Sequence, residues 1–319
     1  MGNLLQNYFH GKPGKRDFTE ADLPKDRIAL FFSVLGVRWR NMFSLNLLYL
    51  LCWIPAAAWT FVNIVQLNYQ LGLQGGTLAE GFLGDLLFSY LLVLFPLTAF
   101  TGPFTAGISL VTRNWARGEH SFVWLDFKAA MKENWKQALG LSAITSIMPL
   151  LAYLCWEFYG GLAVGNWFMI VPQMFTVMIA GVWFLAVTYA YPMLVTYRMS
   201  FGTIIKNSLL LAIGRLPMSV GVRLLHLVPA ALTVLFTLLF NSIWVPLVLF
   251  GYYMLIGFAL SRFTTASYTN AQFDKFINSR IEGAQVNRGL AEEDDEDYED
   301  EEEERELKPW ENGYASQDK

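Results

Sequence analysis

The chain has few of the residues that build metal centres and disulfide frameworks. Its 319 residues include two cysteines and three histidines. Cys52 and Cys155 both fall in apolar stretches, so they indicate neither a disulfide framework nor a thiolate metal site. The three histidines are too far apart in the sequence for metal-ligand spacing. We therefore expect no metal site and no cofactor.

The sequence also lacks the short motifs of common enzyme active sites. It contains no G-x-x-x-x-G-K-[ST] phosphate loop, no G-x-S-x-G nucleophile and no H-E-x-x-H pair. The pair Gly102 and Pro103 is typical of a helix break, not of a phosphate cradle. We expect no catalytic residues, no enzymatic activity and no nucleic-acid partner.

Charged residues are scarce, at 16% of the chain, whereas 54% of the residues are hydrophobic. That apolar content is too high for one soluble core, unless lipid forms part of the solvent. Residues 1–42 carry seven Lys and Arg, and residues 281–319 are mostly acidic and polar. The sequence therefore predicts a membrane domain between polar ends, with the lipid bilayer as its first partner.

A membrane-spanning helix needs about 20 mostly apolar residues. The chain has six such stretches, at 43–66, 87–111, 138–157, 167–196, 224–240 and 243–260, and each contains a proline. Each proline leaves a backbone carbonyl without its helical hydrogen bond. Either neighbouring helices supply a new partner for this carbonyl, or the kink opens a gap that forms a polar site. The predicted fold class is all-α: a polytopic membrane helical bundle of about six kinked transmembrane helices with cytoplasmic amphipathic helices.

Basic residues are absent from three of the predicted loops, at 67–86, at 160–166 and around residue 241. All 23 Lys and Arg lie before the first span, or after the second, fourth or sixth. This asymmetry is the positive-inside pattern. It predicts a multi-pass cell-membrane protein with both termini, and the loops after spans two and four, in the cytoplasm.

Three segments beside the spans have the spacing of amphipathic helices. In residues 121–136, four apolar side chains recur at helical spacing while lysines line another face: Trp124, Phe127, Met131 and Trp135. Residues 26–40 and 201–215 show the same alternation of faces. We expect cytoplasmic helices at the membrane surface, and the four apolar residues of 121–136 form the candidate partner-binding face.

These patterns divide the chain into four parts. We expect a cytoplasmic leader with an interfacial helix in 1–42, a six-helix transmembrane domain in 43–262, a cytoplasmic helical extension in 263–282 and a disordered acidic tail in 283–319. Between 292 and 306, thirteen of fifteen residues are Asp or Glu, and such like-charge blocks resist folding. The tail is either solvated without a specific partner, bound to a basic cytoplasmic surface, or a weak buffer of divalent cations.

Ionisable residues are almost missing from the predicted spans. Glu157 and His226 lie near span ends, where boundary residues are common. Proton-coupled and ion-coupled carriers are disfavoured, because they need a carboxylate or histidine relay at mid-depth. The deepest polar groups include Asn46, Gln173 and Thr176. These three are the candidate lining of a polar cavity, or else form hydrogen bonds between helices.

The segment from 101 to 144 carries a series of short motifs. They are a Gly-Pro span end, a basic turn, a Gly-Glu pair, an aromatic-Asp-Phe and a Glu-Asn-aromatic-Lys stretch: Gly102 and Pro103, Arg113 and Arg117, Gly118 and Glu119, Trp124 with Asp126 and Phe127, and residues 133–136. In these motifs the sequence resembles the YesL-like family of bacterial integral membrane proteins. The likeness extends roughly from residue 26 to residue 280.

The resemblance implies a role beside a transporter. The family has no established biochemical activity, but it is typical of Gram-positive bacteria and its genes often neighbour those of carbohydrate ABC importers. The leading expectation is a non-enzymatic accessory subunit that binds the permease subunits of such an importer laterally. The alternative is an autonomous facilitator or channel for a neutral small solute. The long leader and the acidic tail depart from the family's pattern, so its properties do not extend to them.

The orientation can be tested by cysteine labelling. The Gln74→Cys and Gly161→Cys variants should react with a membrane-impermeant thiol reagent in intact cells, because the positive-inside pattern puts both positions outside. A Gly118→Cys variant should react only after the membrane is permeabilised. Labelling of that variant in intact cells would contradict the predicted orientation.

Overall fold

The computed structural model describes residues 23–291 except Gln74 and Ile243, and this part of the chain is helical, without a β-strand. Its eight helices are α1 (Arg27–Leu73), α2 (Phe82–Ala99), α3 (Gly102–Ala116), α4 (Val123–Ala163), α5 (Trp167–Thr196), α6 (Phe201–Gly214), α7 (Leu216–Phe240) and α8 (Trp244–Arg280). Helix α5 opens with a 3-10 turn, Trp167–Met169, and α8 contains a π-helical turn, Tyr253–Gly257. The prediction of an all-α bundle is confirmed.

Six of these helices are long and apolar enough to cross a membrane, and only α3 and α6 are shorter. This confirms the predicted class, a multi-pass membrane protein. Each of the six contains at least one proline: Pro55, Pro96, Pro149, Pro172, Pro192, Pro229 and Pro246.

The prediction of one continuous second span, 87–111, is wrong. The helix is interrupted at Phe100 and Thr101, which separate α2 from α3. Pro103 lies in the first turn of α3, where its missing N–H and fixed φ favour the start of a helix over its continuation. The hydroxyl of Thr101 donates a hydrogen bond of 2.8 Å to the carbonyl of Thr98, which satisfies a group at the end of α2.

Two of the amphipathic segments are continuous with spans. Residues 26–40 run into the first span within α1, and 121–136 form the first part of α4. Helix α8 likewise continues past residue 262, because it contains no proline after Pro246 and each added residue contributes another backbone hydrogen bond. The predicted boundaries at 42/43 and 262/263 therefore fall inside helices. Segment 201–215 does form a separate helix, α6.

The ends of the helices that carry Lys and Arg meet at one end of the bundle, which we call the basic end. Contacts across it include Arg38 Nη2 donating to the carbonyl of Glu119 at 3.2 Å and an ion pair between Arg27 and Asp274. At the opposite end, the Tyr153 hydroxyl donates to a carbonyl at the start of α2. The bundle therefore has a polar, cross-linked end and an apolar end.

The hydrophobic core lies toward the basic end and has three parts. The first joins the start of α1, α3 and the second half of α8: Leu30, Met42, Leu45, Tyr49, Ile108, Val111, Trp115 and Phe263. The second joins α3, α4, α5 and α6: Ala106, Leu141, Trp183, Leu194 and Ile204. The third joins α5, α6 and α8: Tyr189, Met193, Ala212 and Phe273. Helix α7 lies outside these clusters, and Ser219 is the one residue of α7 that is buried.

Helices α3 and α4 approach closely because glycines of α3 face α4. A Cβ atom on Gly102 would lie 2.3 Å from the carbonyl oxygen of Ala138 and 2.2 Å from Oγ of Ser142. A Cβ atom on Gly107 would lie 2.8 Å from the ring of Phe127. Small residues at such a contact let helix backbones pack tightly, which stabilises helix pairs in lipid.

The segment after α8 turns back onto the basic end. The amide of Ala291 donates to the carbonyl of Pro24 at 3.0 Å, Arg288 pairs with Glu119 at 3.3 Å, and Leu290 packs against the core. The structure therefore differs from the predicted tail boundary at 283, because residues 283–291 contact the body. Residues 292–319 and 1–22 lie outside the described residues, so most of the predicted acidic tail and the first half of the predicted leader do as well.

Gly102→Ala should destabilise the detergent-solubilised protein, because its methyl group would overlap a backbone carbonyl of α4 that cannot rotate away. We expect a loss of about 1–3 kcal/mol in the free energy of unfolding, the usual range for overpacking. Thermal unfolding followed by tryptophan fluorescence measures it. Gly181→Ala is the matched control, since nothing lies within 4 Å of the Cβ atom it would add. Equal stability of the two variants would contradict the close contact.

Candidate functional site

The π-helical turn of α8 is held by a side chain from α1. Nδ2 of Asn46 donates to the carbonyls of Tyr253 and Met254 at 3.0 and 2.8 Å. Oδ1 of Asn46 accepts from the amide of Ala259 at 3.0 Å. A π-helical turn disturbs the regular backbone hydrogen bonds of an α-helix, and lipid offers no water to replace them. The fully buried Asn46 supplies the missing partners and fixes α1 against α8.

One turn beyond Asn46, Tyr49 links α1 to α3 and α8. Its hydroxyl lies 3.0 Å from Oγ1 of Thr105 and accepts a hydrogen bond of 3.3 Å from Nη2 of Arg262. The guanidinium of Arg262 also lies 5.9 Å from the ring centroid of Tyr49 and 5.8 Å from that of Tyr191 on α5. Arg262 therefore points into the bundle and is held by two tyrosine rings.

Helix α7 brings two more nitrogen-bearing side chains to this place. Nη2 of Arg223 donates to the carbonyl of Phe184 at 2.7 Å, and its guanidinium lies 4.2 Å from the Phe184 ring centroid. His226 lies against the backbone of Ser261, the residue before Arg262. Nε of Arg223 and Nε2 of His226 are buried and have no hydrogen-bond partner in the part of the chain that the structure describes. These side chains lie near Arg262, and some of their nitrogen atoms form no hydrogen bond with the described residues.

We call Arg223, His226, Arg262, Tyr49 and Tyr191 the arginine cluster. His226 lies against Ser261, the neighbour of Arg262 in the chain, and Arg223 lies one turn before His226 on the same face of α7. Among the residues that the structure describes, no carboxylate lies within 4.0 Å of either arginine. Burying an unpaired cation costs several kcal/mol. The cluster therefore has a net positive charge that the described part of the chain leaves uncompensated, and it is suited to bind an anion.

A second basic group, at the turn between α3 and α4, is built around one carboxylate, which offsets one of its three positive charges. Glu119 lies 2.9 Å from Arg117, 3.3 Å from Arg288 and 4.0 Å from Arg113. Burial and the neighbouring Arg117 lower the pKa of Arg113, and Glu119 opposes both effects. Gly118 makes this turn with a φ of +69°, a conformation that glycine adopts without strain. This network joins chain segments and has a structural explanation.

The four residues of the candidate partner-binding face have different environments. Trp124 and Trp135 are 57% and 50% exposed, and Met131 is partly buried. Phe127 is only 3% exposed, because it fills the space opposite Gly107 and contacts Phe104. Of the four predicted residues, the two tryptophans therefore face outward, each with a lysine ammonium above its ring.

The three residues of the candidate cavity lining bond in separate places. Asn46 holds α8, as described above. Nε2 of Gln173 donates to the carbonyl of Trp156 on α4 at 3.2 Å, and Oγ1 of Thr176 donates to the carbonyl of Pro172 within α5. The polar atoms of Asn46 and Gln173 thus make hydrogen bonds between helices, which was the alternative interpretation of the sequence.

The sequence analysis missed Arg223 and Arg262 because each lies at the edge of a predicted span. They were counted as cytoplasmic basic residues, and His226 as a boundary residue. One signal was available: between Phe258 and Phe276 the sequence contains neither proline nor glycine, which indicates that the last helix continues past Arg262. The inward direction of the side chain had no signal in the sequence.

Asn46→Leu should destabilise the protein, because it leaves the carbonyls of Tyr253 and Met254 and the amide of Ala259 without their partner in an apolar setting. We expect a loss of about 1–3 kcal/mol in the free energy of unfolding, measured by thermal unfolding in detergent. Thr176→Val is the control, because its hydroxyl bonds only within its own helix. It should change stability by less than about 0.5 kcal/mol. If Asn46→Leu lowers the free energy of unfolding no more than Thr176→Val does, the role of Asn46 is contradicted.

No protein-family model, curated protein or solved structure matches this chain. The motifs of 101–144 have structural explanations within the chain itself. Gly102 and Phe127 belong to the contact between α3 and α4, and Glu119 belongs to the ion-pair network at the basic end.

Proposed function

We propose that this protein is a non-enzymatic accessory subunit in the cell membrane, and that it binds the permease subunits of a carbohydrate ABC importer laterally, within the bilayer. The observation that carries the proposal is the hairpin of α7 and the first part of α8. This hairpin extends away from the core and leaves large apolar side chains uncovered.

The hairpin contacts the body mainly near its base. There Ser219 bonds the Tyr189 hydroxyl at 2.7 Å, and Arg223 bonds the carbonyl of Phe184. Near the turn, the apolar side chains are among the most exposed in the described part of the chain: Leu238 78%, Leu239 65%, Phe240 68% and Trp244 72%. Such a hairpin offers both of its sides to another membrane protein.

An apolar cleft beside the hairpin gives this surface a concave part that side chains of a partner can enter. It has a volume of about 630 Å³ and lies between α8 and the helices α1 and α2, with Trp53, Phe61, Leu94 and Phe250 among its lining residues. Helices associate in lipid through close packing, since lipid tails are as apolar as the side chains. A cleft that accepts side chains of a partner helix gives the packing that a smooth apolar surface does not.

The partner class follows from the family resemblance, and the orientation follows from the basic residues. With the basic end in the cytoplasm, both termini are cytoplasmic. Trp124 and Trp135 then lie at the inner membrane surface, beside the cytoplasmic face of a permease. Autonomous passage of a neutral solute is less well supported, because Asn46 and Nε2 of Gln173 form hydrogen bonds with neighbouring helices.

Photo-crosslinking in the host cell tests the accessory role. Benzoylphenylalanine in place of Leu239, which is 65% exposed on α7, should form an adduct with a permease subunit of a carbohydrate importer, identified by mass spectrometry. The same probe in place of Ile179, 57% exposed on α5, is the control and should form little of this adduct. Adducts only with lipid or with a second copy of this chain, or equal permease adducts from both positions, would contradict the proposal.

A further inference from the structure

We infer that the arginine cluster is a binding site for a phosphate group, and that an anionic phospholipid of the inner leaflet supplies this group. The inference concerns a ligand site and is independent of the accessory role. It rests on the charge, the free donors, the depth and the accessibility of the cluster.

In the described part of the chain, the arginine cluster carries positive charge without a carboxylate beside it. The guanidinium groups of Arg223 and Arg262 lie on the neighbouring helices α7 and α8, and the described residues provide no carboxylate within 4.0 Å of either. The Glu119 network shows the contrast, since three arginines there share a carboxylate. A site that gathers cations without an internal anion is completed by an anion from outside.

The second step is the supply of free hydrogen-bond donors. Arg262 makes one hydrogen bond, to Tyr49, although a guanidinium has five N–H donors. Nε of Arg223 has no hydrogen-bond partner among the described residues. A phosphate group has several acceptor oxygens, and arginine binds it through two parallel hydrogen bonds. The unused donors of the cluster therefore match a phosphate better than a monatomic anion.

The third step is the depth of the cluster. Arg262 follows Trp244, the start of α8, by 18 residues, or about 27 Å of helix, and Arg223 precedes Phe240, the end of α7, by about 26 Å. Both distances approach the thickness of the hydrocarbon core, about 30 Å. If the connecting turn lies at the outer surface, the cluster lies where the phosphates of the inner leaflet begin. Arginines that only extend toward those headgroups point outward, whereas Arg262 points inward to Tyr49 and Tyr191.

The fourth step is access from the bilayer. Arg223 and Arg262 are only partly buried. Beside Arg223, Leu224, Leu225 and Leu227 are 58%, 54% and 53% exposed, since α7 packs loosely on the body. A lipid can therefore place its acyl chains along these leucines while its phosphate enters the cluster. This arrangement favours a lipid as the source over a phosphate compound from solution.

Lipid binding to the full chain in detergent tests the inference. Native mass spectrometry should show retention of phosphatidylglycerol over phosphatidylcholine by roughly tenfold, because both lipids carry a phosphate but the choline ammonium of phosphatidylcholine is repelled by the two guanidinium groups. Phosphatidylglycerol should also raise the thermal unfolding temperature of the wild-type protein more than phosphatidylcholine does. Arg262→Gln and Arg223→Gln should each lose most of this preference. The Arg198→Gln variant, which removes an exposed cation at the basic end, should keep it.

Two further comparisons separate the sources of phosphate. Inorganic phosphate and phosphatidylglycerol are added separately at equal concentration. Stabilisation by the lipid alone supports the membrane as the source of the phosphate. Equal stabilisation by inorganic phosphate that is lost in Arg262→Gln overturns the lipid as the source, although the cluster then still binds phosphate. The wild-type comparison needs no variant, so a misfolded variant does not weaken the test. Equal retention of both lipids by the wild type, or an equal loss in Arg198→Gln, would overturn the inference.

Discussion

The contact between Asn46 and the π-helical turn of α8 is the interaction on which the described structure most depends. A membrane offers no water to backbone groups that lose their helical partners, so the turn can exist only where another side chain replaces them. Asn46 does so with three hydrogen bonds. These bonds fix the register of α1 on α8, and that register brings Tyr49 beneath Arg262.

From this contact the molecule divides into a tightly packed part and an open part. At the basic end, glycines of α3 let α4 approach closely, Phe127 fills the space opposite Gly107, and the segment up to Ala291 closes over the helix ends. Toward the other end, α7 and the first part of α8 diverge from the body. The basic end thus forms a stable base, and the hairpin is the part with the most surface left for neighbours.

The two basic groups differ in whether a carboxylate of the described chain lies among the arginines. This difference is why we assign a structural role to the Glu119 network and a ligand-binding role to the arginine cluster. Around Glu119, ion pairs within the chain hold three arginines on one carboxylate, which offsets one of their positive charges. In the arginine cluster, aromatic rings and carbonyls hold the guanidinium groups in position without neutralising them. Arg223 belongs both to this cluster and to the base of the hairpin. A ligand in the cluster would therefore also stabilise the hairpin against the body, and so couple the lipid environment to the surface proposed for a partner.

The sequence by itself determined the properties that are local in the chain: six apolar lengths sufficient to cross a membrane, basic residues confined to alternate loops, and the absence of enzyme motifs. It indicated Asn46 and Gln173 as bonding groups between helices, but not their partners. The tertiary structure alone decided that Phe127 faces the core, that 26–40 and 121–136 continue into spans, and that Arg262 points inward. The physical reason is that periodicity defines which side chains share a helix face, whereas the crossing of helices decides what that face meets.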